Sequence, residues 1–193
     1  MNNGTQRKKE ETFISKTTEK LLFRTPTKED GADVWKLIKK TGNLDLNSAY
    51  CYLMLCEFFA DTCVVAERNK QIVGFISSFI QPNANDTLFV WQVAVDPSQQ
   101  GNGLGKALLR ELLKQSSGKG IQYVEATISP SNLPSTSLFK GLARDLSTKY
   151  ESSECFSPNL FPEPGHEAEI TYRIGPFSKE NLKNGKVVEV WRP

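Results

Sequence analysis

Apolar residues recur along the chain at two spacings, which predict strands and helices in mixed order. Apolar, β-branched runs predict strands at 21–24, 63–67, 72–80, 88–95, 122–128 and 168–174. Apolar residues three and four apart predict helices around Val34–Ile38, at 49–59, from Leu104 onward and at 135–143. The proline-containing segments 81–86 and 151–164 are predicted to be irregular.

This order of elements predicts one α/β domain over residues 21–177, a sandwich in which about seven strands are flanked by helices. Residues 1–20 are polar and rich in Lys, Glu and Thr, so they are predicted to form a flexible tail. Residues 178–193 are predicted to be a C-terminal tail, in which 186–191 has the composition of a short strand.

Composition and charge argue against several classes of function. The 193-residue chain carries a formal charge of +2 with scattered basic residues, so no nucleic-acid-binding surface is expected. No apolar run approaches the roughly 20 residues of a membrane span, and no signal-peptide core follows Met1. The four cysteines lack C-x-x-C pairing and there is one histidine. We therefore expect no metal site, and reduced thiols in a cytoplasmic protein.

Glycines at 101, 103 and 105 separate the strand 88–95 from the helix that begins near Leu104. A strand, a Gly-rich turn and a helix in that order place several N–H groups at the positive end of a helix dipole, which favours anion binding. Gln100 and Ala107 break the P-loop pattern G-x-x-x-x-G-K-[ST], and G-x-G-x-G is not the dinucleotide fingerprint. The alternative is an ordinary Gly-rich turn.

The stretch from Gln100 to Gly105, QGNGLG, resembles the Q/R-x-x-G-x-G/A diphosphate loop of the GNAT superfamily of N-acetyltransferases, which bind acetyl-CoA. The resemblance implies the GNAT fold, with a mixed, mostly antiparallel sheet. It also implies a cofactor gap beside a splayed strand. The cofactor contacts that it implies are Gln92, Val93, Val95, Gln100, Gly101, Asn102, Gly103, Leu104, Gly105, Lys106, Asn132 and Ser135. Asn132 has a second interpretation, as a cap of the turn before a proline-started helix.

Four further stretches resemble one branch of that superfamily, the L-2,4-diaminobutyrate acetyltransferases of ectoine biosynthesis. They are 45–52, 89–97, 165–169 and 172–175, within a resemblance that covers roughly residues 21–177. The resemblance implies acetyl transfer from acetyl-CoA to the 4-amino group of L-2,4-diaminobutyrate, and a homodimer. Apolar Phe156, Leu160 and Phe161 are candidates for such an interface, or for local packing.

Acetyl transfer to an amine needs a neutral amine in line with the thioester and donors for the oxyanion. The N–H of Val93 is the natural oxyanion donor on the strand before the glycines. A substrate with two ammonium groups calls for acids, and the candidates are Asp45, Glu125, Glu167 and Glu169. Asp45 lies in a polar connection between helices. It is either a ligand of the substrate or the cap of the helix that follows. Glu125 lies inside a strand. Either it anchors the amine and acts as a base, or it lies on a solvated face of the sheet.

Further substrate contacts are expected at Asn47, Tyr50, Trp91, Thr127, His166 and Glu167. Trp91 and Val93 are two residues apart and are expected to share a strand face, so that Trp91 walls the pocket by cation–π contact or is a buried structural residue. His166 is a site residue or a structural histidine. The partner of the substrate carboxylate is left open among Arg24, Asn47 and Ser48.

Phe139 departs from the superfamily pattern, because many members place there a Tyr that protonates the leaving thiolate. Phenylalanine has no proton to give, so the acid is another group, water, or none. Two alternatives to the diaminobutyrate enzyme remain. One is a GNAT enzyme that acts on a protein N-terminus or lysine, which needs an open peptide groove, and the other is an acetyl-CoA-binding module without turnover.

Overall fold

The computed structural model describes residues 21–162, 164–178 and 180–181. The predicted N-terminal tail, residues 1–20, and the strand considered at 186–191 lie outside the described residues. The predicted division of the chain into tails and domain stays a prediction.

Helices and strands follow one another in the predicted mixed order. The helices are α1 (Gly31–Thr41), α2 (Ala49–Phe58), α3 (Leu104–Ser116) and α4 (Leu133–Asp145). The strands are β1 (Leu21–Arg24), β2 (Val64–Arg68), β3 (Gln71–Gln81), β4 (Ala84–Val95), β5 (Tyr123–Ile128), β6 (Tyr150–Phe156) and β7 (Glu169–Ile174). Within the described ranges no helix has the length and apolarity that crossing a bilayer requires.

The described strands form one sheet of seven, in the order β1-β2-β3-β4-β5-β7-β6. The β4–β5 pair is parallel, and the other neighbouring pairs are antiparallel. The predicted mixed, mostly antiparallel sheet of about seven strands flanked by helices is therefore confirmed.

β6 corrects the sequence-based prediction, which treated 151–164 as irregular. Tyr150–Phe156 is a strand that pairs with β7 along the edge of the sheet. All of its residues are exposed, so the segment has no buried face and no apolar alternation to reveal it. The predicted loop 81–86 is also shorter than expected, because β3 runs to Gln81 and β4 starts at Ala84.

Two apolar cores cover opposite faces of the sheet. Phe75 packs with Ile38 and Tyr52 from α1 and α2, whereas its neighbour Ile76 packs with Leu108 of α3. Successive strand residues point to opposite faces, so α1 and α2 lie on one side and α3 with α4 on the other. Leu104, Leu108 and Leu112 recur at helical spacing and pack α3 on the face of the sheet opposite α1 and α2. The glycine turn lies at the N-terminal end of α3.

A β-bulge in β4 fixes where the sheet opens. Ser78 pairs with Val90 and Ser77 pairs with Gln92, so Trp91 is an extra residue on β4. The extra residue interrupts the two-residue alternation from which Trp91 and Val93 were expected to share a face. Val93 packs against the α3 and α4 core, while Gln92 hydrogen-bonds to Tyr52 in the other core.

The parallel pairing of β4 with β5 is short. It joins Thr87 to Tyr123, Leu88 to Val124 and Phe89 to Glu125, and it ends where the bulge begins. From there β4 and β5 separate, as the GNAT resemblance implied. The gap lies between the strand that carries Val93 and the strand that carries Thr127.

An ionic cluster ties β1 to β2 and to the start of α1. Arg24 donates from Nη1 and Nη2 to the Asp30 carboxylate at 2.6 and 2.8 Å, and from Nε to Glu67 at 3.0 Å. The hydrogen bonds from Arg24, opposed by partial burial, hold the pKa of Asp30 below its ordinary value. Arg24 is therefore occupied far from the gap between β4 and β5.

The lowered pKa of Asp30 predicts how stability depends on pH. A carboxylate whose pKa is depressed on folding stabilises the fold above its unfolded pKa, near 4, and this contribution is lost as pH falls through the folded pKa. We expect Asp30→Asn to lower the melting temperature at pH 7, with a difference from the wild type that narrows below about pH 4 and disappears once pH is below the folded pKa of Asp30. Thermal melts of both proteins from pH 7 to pH 3 measure this, with Asp33→Asn as the control because Asp33 forms an exposed ion pair with Lys36. A constant difference at every pH would contradict it.

Candidate active site

A cavity of about 350 Å³ opens at the gap between β4 and β5. The connection between α1 and α2, the middle of β4, the end of β5, the start of α4 and the segment before β7 all contribute to its wall. Its lining residues are Asn43, Leu44, Asp45, Asn47, Val90, Trp91, Gln92, Val93, Ala126, Thr127, Ile128, Asn132, Ser135, Phe139, Phe156, Phe161, His166 and Glu169. The predicted site residues that it brings together are Asp45, Asn47, Trp91, Gln92, Val93, Thr127, Asn132, Ser135 and His166.

The glycine turn has the geometry that an anion site needs. Gly101 and Gly103 have left-handed φ angles of 79° and 80°, which side-chain-bearing residues rarely adopt. Gly103 is the N-cap of α3, and no side chain caps the amides that follow it. The first N–H groups of a 13-residue helix are therefore available to a diphosphate, where the helix dipole favours negative charge.

The start of α3 lies directly against β4. A Cβ atom placed on Gly105 would lie 3.8 Å from the γ-carbons of both Val93 and Val95, so the helix and the strand are in contact there. The Gln100 side chain donates to the Val95 carbonyl at 3.2 Å and joins the loop to the end of the strand. Lys106 pairs with Asp145 of α4 at 2.8 Å. The loop residues Gln100–Lys106 thus adjoin the cavity without being among its lining residues.

Asn132 is the N-cap of α4. Its side-chain oxygen accepts a hydrogen bond from the Ser135 N–H at 3.1 Å, so the capping interpretation is observed. Asn132 and Ser135 also line the cavity. The capping role of Asn132 is therefore compatible with the predicted contact between Asn132 and the cofactor.

Comparisons with known proteins agree with this geometry. The family model of the acetyltransferase (GNAT) family matches residues 32–143. An L-2,4-diaminobutyric acid acetyltransferase from Marinococcus halophilus is 53% identical over 163 residues, which are 84% of this chain and 94% of the relative. One from Halalkalibacterium halodurans is 54% identical over 152 residues, 79% of this chain and 80% of the relative. The chain belongs to the GNAT family, among its diaminobutyrate acetyltransferases.

A solved structure extends the comparison. It is the diaminobutyrate acetyltransferase EctA from Paenibacillus lautus, in complex with its substrate L-2,4-diaminobutyric acid and coenzyme A. It is 44% identical to this chain, with a TM-score of 0.79, and the match covers 82% of this chain and 96% of that one. The predicted membership of the GNAT superfamily and of its diaminobutyrate branch is confirmed.

Glu125 is not among the residues that line the cavity of this GNAT domain. Its carboxylate accepts hydrogen bonds from Arg173 of β7 and, at 2.6 Å, from the Gln81 side chain. Arg173 also lies over the Tyr123 ring, 3.8 Å from its centroid. Tyr123, Glu125 and Thr127 alternate along β5 and so share one face of the sheet. That face contains an ion pair, and Thr127 is the member of it that lines the cavity.

Glu169, the first residue of β7, does line the cavity. One of its carboxylate oxygens accepts from the Ser129 hydroxyl at 2.8 Å, which positions the group at the end of β5. Glu167 is fully exposed and accepts from the Ser131 N–H at 3.0 Å, and this bond lowers the pKa of Glu167. The sequence predicts both Glu167 and Glu169 as candidate acids and Glu167 as a substrate contact, whereas Glu169 is the one that lines the cavity.

His166 lies against Phe161, with parallel rings 3.6 Å apart between centroids. Its Nδ1 is 2.9 Å from the Glu167 carbonyl oxygen. Since that oxygen can only accept, Nδ1 carries the hydrogen, and in the neutral ring Nε2 is left as an acceptor. Phe161 thus packs locally, one of the two roles considered for it, while Phe156 and Leu160 are exposed at 45% and 68%.

Of the remaining candidates, Tyr50 and Ser48 are not among the residues that line the cavity, whereas Asn47 and Phe139 are. Tyr50 is on the outer face of α2 with 69% exposure. Ser48 is the N-cap of α2, where its side chain accepts from the Cys51 N–H at 3.3 Å. Of the three residues considered for the substrate carboxylate, Asn47 is the one that lines the cavity. Phe139 is 2% exposed and closes the cavity beside α4, with no proton to offer a leaving group.

Proposed function

We propose that this protein transfers the acetyl group of acetyl-CoA to the 4-amino group of L-2,4-diaminobutyrate, giving N4-acetyl-L-2,4-diaminobutyrate. The observation that carries the proposal is the charge of the cavity wall. Asp45 and Glu169 contribute carboxylates, while none of the described residues in that wall is Lys or Arg. Such a wall favours a small cation, and it adjoins a diphosphate-binding helix terminus. The substrate of the P. lautus relative is a diamine of this kind.

The cosubstrate's diphosphate fits the turn from Gln100 to Lys106, where backbone amides face the start of α3. Its pantetheine arm fits the gap beside β4, against the backbone of Gln92, Val93 and Val95, with Asn132 and Ser135 opposite. Acetyl-CoA supplies an activated acyl group as a thioester. The residues of this chain bring an amine to that carbonyl and stabilise the charge that develops.

Six residues of the wall have roles toward the substrate in this proposal. Asp45 and Glu169 hold the ammonium groups of the substrate, with Asn47 and Thr127 as neutral contacts and Trp91 as an aromatic wall. Nε2 of His166 accepts the proton that the 4-ammonium group loses before attack. The nitrogen then bonds to the carbonyl carbon while the N–H of Val93 stabilises the oxyanion. The bonded nitrogen gives its remaining ammonium proton to water as the carbon–sulfur bond breaks, which leaves a neutral amide. Because Phe139 is apolar, the sulfur leaves as thiolate.

The cellular setting is also part of the proposal. We infer a cytoplasmic enzyme of ectoine biosynthesis that serves osmotic stress tolerance, because free acetyl-CoA and free thiols are both found in that compartment. Cys56 and Cys63 are free and buried, and burial raises the pKa of Cys56 to about 12 and that of Cys63 to about 11. A homodimer is proposed on the family resemblance, with exposed Phe156 and Leu160 as candidate interface residues.

Product analysis tests the proposed reaction. We expect free thiol from acetyl-CoA with L-2,4-diaminobutyrate and a product acetylated on N4, as identified by proton NMR. 2-Aminobutyrate lacks the reacting amine and should give no thiol, whereas 4-aminobutyrate lacks the second cation and should react at least tenfold more slowly, since a charged hydrogen bond is worth roughly 1.5–3 kcal/mol. Release of free thiol with lysine or peptides but not with diaminobutyrate would instead indicate a protein acetyltransferase. Tight acetyl-CoA binding without thiol release from any amine would indicate a binding module.

A further inference from the structure

We infer that Gln92 and Tyr52 are positioning residues that hold the substrate-binding connection between α1 and α2 against the cofactor-binding strand β4. The inference rests on the proposed function, in which Asp45 and Asn47 contact the substrate. Both positioning side chains are buried, Tyr52 completely and Gln92 with 6% exposure. Their contribution to catalysis is to set the distance between the amine and the thioester.

The hydrogen bonds form one continuous path from the strand to the connection. The Gln92 amide nitrogen donates to the Asp45 carbonyl at 2.8 Å. The Tyr52 hydroxyl donates to the Gln92 amide oxygen at 3.3 Å and accepts from the Asn47 N–H at 3.2 Å. The connection is thus held at two backbone positions on either side of Leu46.

The chemistry of the partners fixes the direction of each bond. The Asp45 carbonyl can only accept, so the nitrogen of the Gln92 amide must face it and the oxygen must face Tyr52. The hydroxyl of Tyr52 gives its one hydrogen to that oxygen and is then an acceptor for the Asn47 N–H. Glutamate at position 92 would keep the acceptor but lose the donor, and an aliphatic residue would lose both.

The bulge in β4 is what brings Gln92 to this side. The extra residue at Trp91 shifts the alternation, so Gln92 faces α2 while Val93 faces the opposite core. The Gln92 N–H donates to the buried Ser77 hydroxyl at 3.2 Å, which fixes the backbone at the bulge. The same short segment of β4 therefore carries the oxyanion donor and the support for the substrate contacts.

Tyr52→Phe tests this role, because it removes a single hydroxyl from the path. We expect the dissociation constant of L-2,4-diaminobutyrate, measured by calorimetry with coenzyme A bound, to rise about tenfold, which corresponds to about 1.4 kcal/mol. The KM of acetyl-CoA should stay within about twofold, since the diphosphate turn is untouched. Gln92→Met should raise the diaminobutyrate constant by at least as much.

Thr62→Val is a matched control. Thr62 is 7% exposed and its hydroxyl donates to the Ser78 carbonyl at 2.7 Å, so the variant also loses one buried hydroxyl, but away from the cavity. We expect a lowered melting temperature with unchanged diaminobutyrate binding. If Tyr52→Phe lowers the melting temperature and leaves diaminobutyrate binding unchanged, the two residues are structural only and the inference is wrong.

A double-mutant cycle gives an independent outcome. If Tyr52 acts through the connection, the effects of Tyr52→Phe and Asp45→Asn on diaminobutyrate binding will be less than additive. Additive effects would overturn the inference. The wild type is measured first, because its failure to bind diaminobutyrate would overturn the proposed function itself. If the wild type binds normally and the variants bind equally well, only the positioning role is overturned.

Discussion

Gly103→Val should weaken coenzyme A binding about a hundredfold, or about 3 kcal/mol. Gly103 has a φ of 80° at the N-cap of α3, a conformation in which a side chain costs roughly 1–2 kcal/mol and a β-branched one more. Valine will move the backbone out of this conformation and turn away the amides at the start of the helix. The diphosphate then loses one or more charged hydrogen bonds, each worth roughly 1.5–3 kcal/mol. Calorimetric titration with coenzyme A measures the loss.

Gly120→Val separates the loss of binding from general strain. Gly120 has a similar φ of 74°, and a Cβ at that position would meet nothing within 4 Å. It follows α3 rather than preceding it. Both variants should therefore have lowered melting temperatures, while coenzyme A affinity should fall in Gly103→Val alone. An unchanged affinity in Gly103→Val would remove the diphosphate from this turn.

Glu169→Gln should raise the KM of diaminobutyrate about tenfold, because a charged hydrogen bond of roughly 1.5–3 kcal/mol becomes a neutral one of roughly 0.5–1.5 kcal/mol. The amide can still accept from the Ser129 hydroxyl, so the local structure should persist. The KM of acetyl-CoA should be nearly unchanged. Steady-state kinetics with each substrate varied in turn measures the two KM values separately.

Glu125→Gln is the variant that decides between the two carboxylates. The sequence favoured Glu125 as amine anchor and base, whereas the structure pairs it with Arg173 and leaves it out of the cavity wall. We expect its main effect on stability, because the partly buried Arg173 loses its charged partner. If Glu125→Gln raises the KM of diaminobutyrate as much as Glu169→Gln does, Glu125 is restored to the site.

The glycine turn and the helix that follows it were predictable because their signals are local. The glycines at 101, 103 and 105 are close in sequence to the strand and helix that they join, and their need for unusual backbone angles is a property of the residue itself. The helix α3 was equally clear, since Leu104, Leu108 and Leu112 form a strong apolar stripe. Local chemistry of this kind can be inferred without knowing how the helices and strands pack together.

The substrate side depended on pairings that a sequence does not show. The partner of Glu125 is 48 residues away, so an ion pair and a catalytic acid had the same local pattern. The bulge at Trp91 is a property of two strands together, and it invalidated the alternation argument for Val93. The segment 151–164 was predicted to be irregular from its prolines, and β6 has no buried face that would have revealed a strand.

The early end of the β4–β5 pairing has a consequence for the life of the protein in the cell. Beyond Phe89 β4 no longer pairs with β5. We propose that the pantetheine arm of the cosubstrate fills the gap that this leaves. A ligand that binds only the folded chain adds RT ln(1 + [L]/Kd) to its stability, about 2.7 kcal/mol at a hundred times Kd. The chain's resistance to unfolding and proteolysis will therefore follow the supply of acetyl-CoA, so a starved cell would lose the protein as well as its cosubstrate.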